Sequence, residues 1–154
     1  MIKGFSAVVT LFICCVIFSG CIKTSPDVLT INPSMTANIG SYNFVAKSTV
    51  PATLDAQVHD TTTTLIITGY TSDPAYPYDK MVISITKYKG VPGTYSIVQG
   101  QASGTWYHST NVSSALGGVV SISKVESNCI IGYFSFNTQD GQAITNGAFN
   151  VGLP

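Results

Sequence analysis

Short runs in which apolar and polar residues alternate are the feature that most constrains the fold of this chain. Apolar side chains stand at every second position in Met35–Ile39, and the same period recurs in Met81–Ile85 and Val119–Val125. Successive side chains of a strand point to opposite faces, so this period predicts strands with one buried face. Turn signals at Gly40–Ser41 and Asp140–Gly141 separate such runs and predict hairpins.

The residue types also favour strands over helices. The chain has 15 Val, 15 Ile and 18 Thr, but only 6 Leu, 1 Glu and no Arg. Branching at Cβ restricts a side chain against a helical turn and suits a pleated surface. We count about eight to ten short strands at roughly ten-residue spacing, one of them beginning after Gly117–Gly118. The expected fold is all-β, either an antiparallel β-sandwich or a partly closed barrel.

The first 20 residues have the pattern of a secretory signal. Lys3 supplies one positive charge, and residues 4–18 carry none. As a helix this uncharged stretch is about 22 Å long at ~1.5 Å per residue, whereas a bilayer core needs about 20 residues. We therefore predict a signal helix that is cleaved off. The alternative is an uncleaved apolar anchor.

The stretch ends in Phe18–Ser19–Gly20–Cys21. Two small residues leave the backbone open to a peptidase, and the thiol supplies the atom to be alkylated. The segment resembles the lipobox of bacterial lipoproteins, although Leu is usual where Phe18 stands. This resemblance implies a signal peptide at residues 1–20, an acylated Cys21 and a lipidated tether at residues 21–34. It also implies a place in the cell envelope, at the outer membrane, with either membrane face open.

Cysteine usage follows from that resemblance. Cys14 and Cys15 would leave with the signal and Cys21 would become a thioether, so Cys129 would have no partner for an intramolecular disulfide. We predict that Cys129 is a small buried hydrophobe. A reactive thiol and a bridge between two subunits are the alternatives.

Several strand segments resemble those of small Bacteroidota-type lipoproteins, whose families are described mostly as domains of unknown function. The segments are Met35–Ile39 with Tyr42–Ala46, Gly93–Tyr95, Ile131–Phe136 and Ile144–Val151. The resemblance covers nearly the whole chain after the lipobox. It implies a β-sandwich domain at residues 35–154, and it implies no reaction.

Charge is sparse in this chain, and this excludes two classes of protein. The 7 lysines balance 7 acids, and charged residues make up only 9% of the sequence. Without a basic stripe the chain is not expected to bind nucleic acid. With 45% apolar residues it is not a charge-rich disordered chain either.

No set of residues in the sequence is typical of an enzyme. His59 and His108 are not accompanied by a Gly-x-Ser-x-Gly elbow, and the single glutamate, Glu126, lies in a predicted turn. Asp73 and Asp79 in one loop are the nearest approach to a calcium site, but both suit an ordinary turn. We therefore expect no catalytic residue, no metal and no cofactor.

Aromatic residues are the best indication of a function. Tyr76 and Tyr78 lie in a proline-containing loop, and Trp106 and Tyr107 lie near a strand end. Neighbours on a strand face opposite ways, so Trp106 and Tyr107 cannot both be core residues. We predict a non-catalytic binding module that uses these four residues for a glycan or a peptide. One alternative is that one of the two adjacent rings packs inward while the other covers a loop. Another is that the protein is a structural or accessory subunit of an envelope protein complex.

Overall fold

The computed structural model describes residues 34–56, 63–71, 73 and 75–153. The predicted signal helix, Cys21 and nearly all of the predicted tether therefore lie outside the described residues, as does His59. The first described strand starts at Ser34.

Nine strands make up the described structure, and it contains no helix. They are β1 (Ser34–Ile39), β2 (Tyr42–Ala56), β3 (Thr63–Thr71), β4 (Lys80–Ile85), β5 (Gly93–Ser96), β6 (Ala102–His108), β7 (Asn111–Val125), β8 (Cys129–Thr138) and β9 (Ala143–Gly152). The all-β prediction is confirmed. Not every strand is short, since β2 and β7 have 15 residues each.

The strands close into an antiparallel barrel. Eight of them follow one another in the order β7-β6-β4-β3-β2-β1-β9-β8, and β8 pairs back to β7. The short β5 pairs with the second half of β7, and β6 pairs with the first half, so β5 and β6 follow one another along the same edge of β7. The sequence left a sandwich and a partly closed barrel open, and the β7–β8 pairing makes the closure complete.

The length of β7 has its cause in a glycine pair. The sequence predicts that a strand begins after Gly117–Gly118, but β7 runs through both glycines with a register shift against β8. Gly118 has a φ of 142°, and a Cβ there would lie 2.2 Å from the carbonyl oxygen of Ser135. Glycine therefore lets one strand bend and pass from β6 to β5 while it stays paired with β8.

Inward-facing side chains fill the barrel, as the two-residue period predicts. Glycines make room for rings: a Cβ on Gly104 would lie 2.6 Å from the ring of Phe136, and one on Gly132 would lie 2.4 Å from the ring of Phe149. The interior is thus a packed core. Its larger apolar members are Met35, Ile39, Phe44, Leu65, Ile67, Met81, Ile83, Ile85, Val120, Ile122, Ile130, Phe134, Phe136, Ile144, Phe149 and Val151.

The barrel has two ends with different connections. The upper end carries the β1–β2, β3–β4, β6–β7 and β8–β9 connections, including the predicted turns at Gly40 and Gly141, whose φ angles are 57° and 81°. The lower end is where β1 begins, and it carries the β2–β3 connection, the β4–β6 segment that contains β5, and the β7–β8 turn.

Candidate functional site

Four rings meet at the upper end of the barrel and form what we call the aromatic cluster: Tyr42, Tyr76, Trp106 and His108. Trp106 and His108 are two positions apart on β6 and therefore share a face, and their ring centroids are 4.9 Å apart. Tyr76, from the β3–β4 loop, lies 5.1 Å from His108 and 5.4 Å from Tyr42 at the start of β2. Three segments distant in sequence thus supply one group.

A buried carboxylate holds the histidine of this cluster in place. Nδ1 of His108 lies 2.6 Å from Oδ2 of Asp79, whose side chain is only 1% exposed. The backbone N–H of Ser109 donates to the other carboxylate oxygen at 3.0 Å. A carboxylate only accepts, so the Nδ1 proton is donated to Asp79 and the orientation of the imidazole is set.

The β3–β4 loop is folded around the same aspartate. The backbone N–H of Asp79 donates to the Tyr76 carbonyl, and the Asp79 carbonyl accepts from the N–H of Thr71 at 3.0 Å. Asp73 forms a turn, since its Oδ1 accepts from the N–H of Ala75 at 2.9 Å. The two loop aspartates thus have different partners. In the part of the chain that the structure describes, no group of three or more His, Cys, Asp or Glu side chains is arranged to hold a metal ion.

A cleft of about 310 Å³ opens beside the histidine. Its walls come from the β3–β4 loop and the β6–β7 turn, and they include Tyr76, Tyr78, Asp79, His108 and Ser109. Tyr78 is 79% exposed and Tyr76 is 38% exposed, so both rings are accessible to a ligand. The cleft therefore combines accessible rings with a fixed imidazole.

The structure separates the four sequence-predicted ligand residues into two groups. Tyr76, Tyr78 and Trp106 lie at the upper end, where Trp106 is mostly buried and its Nε1 has no hydrogen-bond partner. Tyr107 points to the opposite face of β6, and Nζ of Lys80 lies 4.2 Å from its ring centroid. Tyr107 therefore does not line this cleft.

Sequence reasoning missed Tyr42 and the pairing of Asp79 with His108. Burial raises the pKa of Tyr42, and the hydroxyl of Thr71 acts in the opposite direction. The signal for Tyr42 was its place directly after the Gly40–Ser41 turn, at a strand end. The Asp79–His108 pair spans 29 positions and left no local pattern.

A second polar group closes the β8–β9 turn at the same end. Oδ2 of Asp140 accepts from the Ser113 hydroxyl at 2.6 Å, and Oδ1 accepts from the hydroxyl of Thr138. Thr138 in turn accepts from the N–H of Gln142 at 3.0 Å. The bonds from Ser113 and Thr138 hold the pKa of Asp140 below its ordinary value. This group stabilises a turn and does not face the cleft.

Cys129 is buried, as predicted, at the start of β8. Its thiol donates to Oε2 of Glu126 at 3.3 Å, and Glu126 also pairs with Lys124. Burial, and after it the bond to Glu126, raises the pKa of the Cys129 thiol. Because the thiolate is the reactive form, this environment does not activate the cysteine.

Within the described residues, no helix is long and apolar enough to cross a membrane. Compared with models of known protein families, with curated proteins and with solved structures, the chain matches none.

Proposed function

We propose that this protein is a lipid-anchored domain of the cell envelope that binds a ligand, without catalysis, in the cleft at the upper end of the barrel. The observation that carries the proposal is the buried Asp79, which holds His108 against accessible tyrosine rings. A buried carboxylate in a loop costs desolvation, and it is well suited to fixing a polar group for recognition.

The chemistry of the cleft fits a glycan or a peptide end. With its Nδ1 proton donated to Asp79, the ring of His108 keeps Nε2 on the side away from the carboxylate, where it can form a hydrogen bond with a ligand hydroxyl or amide. The rings of Tyr76 and Tyr78 offer flat apolar surface with a polar tip. At about 310 Å³ the cleft is at the small end of ligand sites, so one sugar ring or one side chain is the expected occupant.

The proposal is non-catalytic because of the partners of His108. Among the described residues, the ring of His108 forms its hydrogen bond with the carboxylate of Asp79, and the backbone N–H of Ser109 donates to the same carboxylate. A nucleophilic site needs a serine or cysteine within hydrogen-bond reach of the base.

The lipid anchor is proposed at Cys21, on the lipobox pattern. The barrel topology would hold an anchored domain in an orientation that suits ligand binding, because β1 begins at the lower end and the cleft lies at the upper end. The ligand site would then face away from the membrane. In cells given a fatty-acid probe, the parent chain should be labelled and the Cys21→Ser variant should not. Equal labelling of both would contradict the anchor.

Ligand binding is tested on glycan and peptide arrays with the purified protein. Tyr76→Ala and Tyr78→Ala should each weaken binding about fivefold or more, which corresponds to about 1 kcal/mol for truncating an aromatic contact. Tyr133→Ala is the matched control, since Tyr133 is 57% exposed on the outer face of β8. No binding above background, or equal loss with Tyr133→Ala, would contradict the proposal.

A second candidate function is that of an accessory subunit of an envelope protein complex. A shallow groove of about 490 Å³ on the outer face of β7, β8 and β9 favours it, with the exposed Val119 and Tyr133 in its lining. A photo-crosslinking residue at position 133 should then capture one defined envelope protein in cells. Crosslinks in which no such protein recurs would count against it.

A further inference from the structure

We infer that the lower end of the barrel docks on an anionic phospholipid surface through the segment between β4 and β6, residues 86–101. This inference rests on the proposed lipid anchor and gives the anchored domain a fixed orientation. It is carried by three observations: the charges of this segment, its exposed apolar side chains, and the end at which the chain enters the barrel.

The segment is basic. Residues 86–101 contain Lys87 and Lys89 and no acid, and both lysines are exposed. The other described lysine at the lower end, Lys124, is paired with Glu126. β2 contributes Asp55 near this end, where it stands opposite Thr64. The two lysines of the segment are therefore its only charges, and they suit an anionic surface.

Three of the four acids in the described loops are at the opposite end, and the fourth, Glu126 in the β7–β8 turn, is paired with Lys124 at the lower end. Asp73 and Asp79 belong to the β3–β4 loop, and Asp140 belongs to the β8–β9 turn. Two described lysines belong to that end: Lys80, which lies over the ring of Tyr107, and Lys47, which stands on β2 between the positions paired with Thr71 and Tyr70. Near the upper end the described residues thus include more acids than lysines, whereas the 86–101 segment at the lower end has lysines and no acid. An anionic bilayer would attract this segment more strongly than the upper end.

Apolar side chains stand next to the two lysines. Val91 is 51% exposed and Val98 is 77% exposed, and Pro92 is exposed between them in sequence. Lys87, Lys89 and Val91 also line a surface cleft of about 550 Å³. Exposed apolar groups beside lysines are typical of protein surfaces that lie in the headgroup region of a bilayer. The segment therefore has both attractions that an interfacial contact needs.

The chain enters the barrel at this same end. Twelve residues lie between Cys21 and Ser34, where β1 begins, so the two are 13 residue steps apart. Fully extended, this segment reaches about 45 Å at ~3.3–3.6 Å per residue. A lipid on Cys21 would hold the lower end within that distance of the bilayer, and such a high effective concentration makes a weak contact sufficient.

The experiment places an environment-sensitive dye at either end of the full lipoprotein in vesicles. Gln99→Cys puts a thiol at the exposed tip beside Val98, and Thr110→Cys puts one at the exposed β6–β7 turn of the upper end. Cys129 is buried and slow to react. Vesicles are made of phosphatidylcholine alone or with phosphatidylglycerol, and flotation with mass analysis of the N-terminal peptide reports the anchor separately.

The dye at position 99 should report an apolar environment in phosphatidylglycerol vesicles at low salt, and the dye at position 110 should stay in water. Lys87→Glu with Lys89→Glu should lower the ratio of docked to undocked protein by about 30-fold or more, about 1 kcal/mol for each lysine. Lys80→Glu, a single charge reversal at the upper end, should leave the signal at position 99 unchanged.

Three results would overturn the inference: no lipid dependence at position 99, a dye at position 110 that enters the bilayer, or a double variant that docks like the parent. If the dye at position 99 leaves water only when other envelope proteins are added, the inference is also overturned, and a protein partner is indicated. If flotation shows no lipid on the chain, the proposed anchor fails as well. If the chain floats and position 99 stays in water, the docking inference alone fails.

Discussion

Replacing Asp79 by asparagine tests the central feature of the candidate site. Asp79 is buried and accepts two hydrogen bonds, from Nδ1–H of His108 at 2.6 Å and from the N–H of Ser109 at 3.0 Å. Asparagine has the same shape and retains one acceptor oxygen, which can serve Ser109. It loses the negative charge and presents an N–H₂ group or a weaker acceptor to His108.

The magnitude follows from the partners and their exposure. A hydrogen bond to a charged group contributes about 1.5–3 kcal/mol, and removing one partner of a fully buried pair costs about 3–5 kcal/mol. The side chain of His108 is 33% exposed, so water takes over part of the lost interaction. We therefore expect Asp79→Asn to lower the free energy of unfolding by about 2 kcal/mol. For a domain of roughly 120 residues this corresponds to a fall in Tm of about 6–10 °C.

Urea unfolding is followed by the fluorescence of Trp106, the single tryptophan of the chain, whose ring stacks on His108. Asp73→Asn is the matched control in the same loop, and it should change stability by less than about 0.5 kcal/mol because asparagine forms the same turn. A double-mutant cycle with His108→Gln should give a coupling of about 1 kcal/mol or more. Strict additivity, or an Asp79→Asn variant as stable as the parent, would refute the reasoning.

Three further predictions concern the barrel itself. Gly132→Ala would place a Cβ 2.4 Å from the Ser121 carbonyl oxygen, which is backbone, so the free energy of unfolding should fall by about 3 kcal/mol or more in urea. The pKa of Asp140 is lowered in the fold, so its stabilisation is complete above the ordinary carboxyl pKa and is lost as pH falls through the lower folded value. Ser113→Ala should reduce this loss in acid unfolding curves, and an unchanged acid limb would argue against it. Burial raises the pKa of Cys129, so iodoacetamide should modify this thiol slowly in the folded protein and rapidly in urea, as mass spectrometry can measure.

Glycines stand at inward-facing positions of the barrel because large rings pack against them. Phe134, Phe136 and Phe149 point inward, and the first two have ring centroids 6.0 Å apart. Each ring has a facing position without a side chain: Gly147 for Phe134, Gly104 for Phe136 and Gly132 for Phe149. Enlarging Gly104 and trimming Phe136 would therefore be tolerated better than the first change alone, whereas at Gly132 the Ser121 carbonyl oxygen would remain in the way.

Strand positions and turns were determined by the sequence, because both depend on near neighbours along the chain. Alternation in Met35–Ile39 and Met81–Ile85 predicts β1 and β4, and the glycines at 40 and 141 mark turns that need a positive φ. The candidate rings Tyr76 and Tyr78 could be identified the same way, since a proline-containing loop exposes its side chains.

Closure and the site were decided only by the tertiary structure. A sandwich and a barrel have the same alternation, and the pairing of β7 with β8 that separates them depends on how far Gly118 lets one strand bend. Asp79 and His108 meet because two strand ends share one rim of the barrel, and Tyr42 joins them across a third. Such contacts arise from strand register and closure around the whole barrel, and local sequence patterns carry no record of either.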